Sequence, residues 1–212
     1  MSTITVLDSA GATQTVAKVT NTGATTGTNS LPVVIATDDA MIGQIHTDLT
    51  ATNSQLPASP SGSAIVTITR PANTTAYTAN DVVGGALTIA TGMTSAQRVM
   101  IASVDLMPQI SAIPAGMTSF TLHLYSSTPP SALADNAAFD LPSGDRSVYL
   151  GSVSVGTPAD LGSTLYCQTD GVNRPVQMVG SASIFGYLVT AGGFTPNANS
   201  EVYQLRVHFL GL

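Results

Sequence analysis

After Ser63 the chain alternates apolar and polar side chains with a period of two, the spacing of a strand with one buried face. Phe120, Leu122 and Leu124 point one way, and Thr121, His123 and Tyr125 the other. Near the end, Tyr203, Leu205, Val207 and Phe209 face inward while Gln204, Arg206 and His208 face outward. Proline and glycine breakers cut this pattern into strands at Ile65–Thr69, Ala86–Ala90, Val99–Leu106, Ser119–Tyr125, Ser147–Val155, Ser163–Gln168, Val176–Val179, Ser183–Ala191 and Glu201–Leu210. Nothing between them has the length and period of a crossover helix. The pattern therefore predicts an all-β fold, an antiparallel β-sandwich of jelly-roll type.

The first 62 residues read differently, as an extended N-terminal arm. Ile4–Val19 predicts two short strands around a turn at Asp8–Gly11, and Asn21–Ser30 is flexible by composition. Leu31-Pro32-Val33-Val34-Ile35-Ala36-Thr37 is a short apolar strand with little nearby to bury it, so it pairs with a neighbouring subunit or with the body of its own chain. Leu31, Val33 and Ile35 are accordingly interface candidates. Met41, Ile42, Ile45 and Leu49 fall at helical spacing behind Asp38 and Asp39, and 51–62 is linker-like, with Pro57 and Pro60. The expected organisation is an arm over 1–62 and a sandwich over 63–212.

Ile68–Gly85 is the junction between them. Arg70-Pro71 starts an extended turn, Asn80-Asp81 is a second turn, and Gly84-Gly85 permits a bulge. Tyr77 covers the edge of the core on one reading; on another, Arg70 and Tyr77 contact a second subunit, both residue types being favoured at interfaces. Ser126–Arg146 is too long for a hairpin turn, and Leu133, Phe139 and Leu141 are apolar anchors able to pin it over one end of the sandwich. Gly192–Asn199 reads as a surface loop with an exposed aromatic, Phe194, a further interface candidate.

Composition narrows the function classes. The hydrophobic fraction is 43% but only 8% of residues are charged, so much of the polar surface must be Thr, Ser, Asn and Gln. Such a surface is cheap to bury against other proteins. Six Lys+Arg against twelve Asp+Glu give a net charge of −6, and the arginines are scattered, which argues against nucleic acid as a partner. One cysteine, Cys167, excludes an intramolecular disulfide framework and reads as a buried strand residue. No signal peptide and no membrane span is visible, so synthesis in a cytoplasm without export is the simplest expectation.

Chemistry-bearing patterns are sparse. Gly151-Ser152-Val153-Ser154-Val155-Gly156 has the wrong spacing for a nucleophile elbow, and His46, His123 and His208 form no ligand pair, although His123 and His208 could meet across strands. Asp135, Asp140 and Asp145 around the long loop allow a calcium ion or a glycosidase-like pair, against the commoner role of capping turns. No phosphate cradle is present. The expectation is a protein without catalytic residues, cofactor or metal.

Three stretches carry a resemblance. They are the arm, with Ile4–Val19 and Ser30–Asp38; the junction Thr69-Arg70-Pro71-Ala72-Asn73-Thr74-Thr75-Ala76-Tyr77-Thr78-Ala79-Asn80-Asp81-Val82-Val83-Gly84; and Leu124–Pro130 with Ala134–Asp140. In these the sequence resembles tailed-bacteriophage virion structural proteins. The resemblance implies a non-enzymatic β-sandwich subunit on the virion surface, as head decoration (cement) or head fibre. Its implied partners are the major capsid protein or other virion subunits and copies of itself, with a trimer favoured and neither nucleic acid nor membrane. A tail-associated baseplate or fibre-adaptor subunit is the alternative. A glycan-binding receptor ranks last, since Trp is absent and aromatics are 5%.

Overall fold

A computed structural model of the protein describes residues 4–7, 11, 13–16 and 61–212. The expected strand at Leu31–Thr37, with Leu31, Val33 and Ile35, and the helix behind Asp38 lie outside the described residues. The chain divides into two units, Met1–Leu56 and Pro57–Leu212. In the first, β1 (Ile4–Leu7) pairs antiparallel with β2 (Thr13–Val16), the hairpin read from the sequence.

The second unit carries ten strands: β3 (Ser61–Thr69), β4 (Val82–Ala90), β5 (Arg98–Pro108), β6 (Phe120–Tyr125), β7 (Tyr149–Val155), β8 (Ala159–Asp160), β9 (Leu165–Thr169), β10 (Arg174–Gln177), β11 (Ser183–Thr190) and β12 (Val202–Gly211). One sheet has the order β3-β12-β5-β9-β8, with β10 also on β5, and the other β4-β11-β6-β7. Every pairing is antiparallel. The pairings nest: β3 with β12, β4 with β11, β5 with β9 and β10, and β6 with β7. This is one long antiparallel ribbon rolled so that successive layers fall alternately in two sheets, the jelly-roll winding. No helix occurs among the described residues.

All nine expected body strands are present. β8 is additional, two residues long and without a hydrophobic signal of its own. β3 begins at Ser61, inside the stretch read as linker, because β12 runs far enough to pair Leu210 with Ser61. The core lies between the sheets, where Phe120, Leu122 and Leu124 meet Tyr203, Leu205, Val207 and Phe209. Phe120 and Tyr203 pack edge to face, 6.5 Å between centroids.

A second apolar cluster lies on the other face of the four-stranded sheet. Val82, Tyr125, Tyr187 and Val189 are buried there, with Leu133, Phe139 and Leu141 packed on them. The Ser126–Arg146 connection thus covers a sheet face rather than one end of the sandwich. Backbone bonds hold it: Val82 N–H donates to Ala137 O (2.9 Å) and Asn136 N–H to Val82 O (2.8 Å). The Tyr187 hydroxyl donates to Ser131 O, and the Leu133 N–H donates to that hydroxyl (3.2 Å). Tyr125, placed by alternation on the outer face, is buried for this reason alone.

Candidate functional site

The junction read from the sequence forms the densest polar cluster of the body. Arg70 follows directly after β3, and its N–H donates to Glu201 O, continuing the β12 ladder past the strand end. Its side chain is thereby carried into the interior, where Arg70, Tyr77 and Phe194 are 2%, 3% and 3% exposed. Arg70 Nε donates to the Tyr77 hydroxyl (2.5 Å), which donates to Asp135 Oδ1 (2.6 Å). The same oxygen accepts the Gly84 N–H (2.7 Å). Glu201 accepts from Asn197 N, Ala198 N and the Tyr203 hydroxyl. The guanidinium sits between the two acids, 4.0 Å from each. Burial, then the hydrogen bond to Asp135, raises the Tyr77 hydroxyl well above its ordinary range, and burial does the same to Tyr203.

Phe194 is the correction here. It was expected exposed on a loop, yet it is buried against Tyr77 (centroids 5.0 Å) and edge-on to Phe120 (6.4 Å). The preceding glycines allow this, because a Cβ on Gly193 would lie 2.9 Å from the Tyr77 carbonyl and one on Gly192 2.8 Å from that of Gly116. Of the six interface candidates, Arg70, Tyr77 and Phe194 therefore come together inside one subunit and expose almost nothing to a second.

The other candidates disperse. His123 lies on β6 and His208 on β12, in different sheets, so they do not meet. Burial lowers His123 to about 4; its Nδ1 is 3.0 Å from the Tyr149 hydroxyl and its ring stacks on Phe139 at 3.8 Å. His208 Nε2 is 3.1 Å from Asp105 Oδ2, with Ser63 and Ser103 opposite it on the neighbouring strands. Among the described residues no hydroxyl is bonded to that ring. Asp145 accepts from the N–H of Ser131 (3.1 Å) and from its hydroxyl, a turn-capping role. Among the described residues no three acidic, His or Cys groups converge on a metal position. Cys167 is fully buried and its thiol is pushed up to about 12 by that burial.

Shallow depressions mark the described surface. One, of about 260 Å³, is lined by Ser152, Ser154, Thr169, Asp170 and Arg174, and another, of about 340 Å³, by Ser61, Ser63, His208 and Leu210. The Arg70 cluster lines neither.

No protein-family model matches the chain, and no curated protein matches it. Among solved structures it is similar to a chain of the full particle of Israeli acute paralysis virus heated to 63 degrees, at 12% identity over 87% of this chain and 83% of that one, with a TM-score of 0.28. It is also similar to a chain of the native virion of Kashmir bee virus at acidic pH, at 11% identity over 99% of this chain and 88% of that one, with a TM-score of 0.27. Overlap of this quality carries no argument, and the jelly-roll assignment rests on the strand order of the protein itself.

Proposed function

We propose that the protein is a non-enzymatic virion structural subunit that decorates a capsid surface, attached through its N-terminal arm. The observation that carries this reading is the use of polar chemistry in the body. Its most concentrated set of acids, hydroxyls and guanidinium is buried in joining β3, β4, the long connection and β12, which serves rigidity. What remains outside is a surface poor in charge, suited to lying against other subunits. The sequence resemblance to tailed-phage structural proteins supplies the particle, and the arm, with Leu31, Val33 and Ile35, supplies the attachment. Repetition over the particle offsets the entropy lost in ordering an arm. Copies of the subunit associate on the particle.

Localisation in a density map of the purified virion tests the reading. Copies repeated over the capsid surface are the expected result. A single set at the tail tip would replace decoration by the baseplate or fibre-adaptor role, and absence from the particle would overturn both.

A further inference from the structure

A sandwich with two open sheets has four edges, and three of them are interrupted along part of their length. At β7 the Arg174 guanidinium occupies the outward carbonyls of Leu150 and Ser152, and Gly151 between them has φ 97°, bulging the strand so that Arg174 fits. At β4 the long connection bonds both backbone groups of Val82, and the Asp135 carboxylate takes the Gly84 N–H. The third edge is shared by β9 and β10: the short β8 pairs along β9, and Pro175 leaves β10 without one backbone donor.

Among the described residues β3 has none of these devices. Ser61-Gly62-Ser63-Ala64-Ile65-Val66-Thr67-Ile68-Thr69 contains no charge and no proline, and its register with β12 is unbroken from end to end. The Arg70 N–H donates to Glu201 O, so even-numbered residues here turn their backbone groups toward β12. Ser61, Ser63, Ile65, Thr67 and Thr69 then turn theirs away from it. All five side chains are exposed, Ile65 at 55%, and none of the five makes a further backbone hydrogen bond among the described residues. A long, neutral, unbulged edge of this kind is a template for another strand.

We propose that β3 is a two-fold interface with a second copy of this chain, the two strands pairing antiparallel about an axis at Ile65. The strand is complementary to itself in that register. Ile65 meets Ile65 of the second copy, Ser63 meets Thr67 and Ser61 meets Thr69, so β-branched and hydroxyl pairs form and no like charges oppose. Every outward amide and carbonyl of the strand finds a partner, and the two sheets become one across the axis. The inference stands on the edge alone and does not depend on the virion reading.

Cross-linking of the full chain tests it. In a hydrogen-bonded antiparallel pair the facing Cα atoms lie about 5.5 Å apart, within reach of a disulfide, so Ile65→Cys should give a covalent dimer under mild oxidation. Ser61→Cys should not, its two copies being about 27 Å apart in this register. Cys167 is buried and adds no background. Native mass should be an even multiple of the subunit, and Ile65→Lys should halve it while the far-UV circular dichroism of the body is unchanged. An odd multiple, monomer or trimer, or equal cross-linking at positions 61 and 65, overturns the two-fold contact and leaves the virion localisation untouched.

Discussion

Arg70 shows how one side chain can organise a junction. It is nearly inaccessible, and it neutralises two acids that come from distant parts of the chain, Asp135 and Glu201. Removing one member of such a buried set costs more than the set contributes, because the charges left behind have lost their solvation. Arg70→Ala is expected to destabilise the body by about 3–5 kcal/mol. In a domain of this size that lowers the melting temperature by roughly 10 °C. Adding Asp135→Asn and Glu201→Gln should recover part of the loss, and thermal melts of both variants decide it. An unchanged melt for Arg70→Ala would mean that the cluster is hydrated and loosely coupled. The sequence marked Arg70 and Tyr77 because both residue types are favoured at interfaces. It did not show their partners, which lie 58 and 131 residues away in Asp135 and Glu201 and meet them only once the ribbon has rolled. Phe194 misled for a related reason: a Gly-Gly-Phe loop looks exposed until the glycines are seen to press against the Tyr77 and Gly116 carbonyls.

At the scale of elements, strand positions were legible wherever one face alone is buried. β12 carries its inner face as alternation, and β3 and β5 were placed by the same signal. Alternation fails where both faces are covered, and the Ser126–Arg146 connection covers the second face of the four-stranded sheet. His123 sits under that cover, stacked on Phe139, and burial holds it at about 4 against an ordinary value of 6.5. The unfolded chain therefore binds a proton at this position at higher pH than the folded one does. Stability should be complete above about pH 6.5, decline as pH falls toward 4, and change no further on this account below that. Urea unfolding across this range reads the slope, and His123→Gln should flatten it. A slope that survives the substitution would move the effect to the carboxylates.

At the scale of the whole molecule, the described residues of Pro57–Leu212 carry a core and ladders of their own. The core, the ladders from β3 to β12, the second cluster and the buried ion set all fall within 61–212. Deleting residues 1–56 should accordingly leave the melting of the body within about 2 °C, since the contacts that dominate unfolding are retained. If the arm is what attaches the protein to the particle, the same deletion should abolish co-sedimentation with virions lacking this protein, while the full chain still binds them. The two readouts separate the two ideas. A large drop in melting temperature would mean that the first unit completes the body, whereas a stable, truncated body that still binds particles would place attachment on the sandwich and remove the arm from the proposed role.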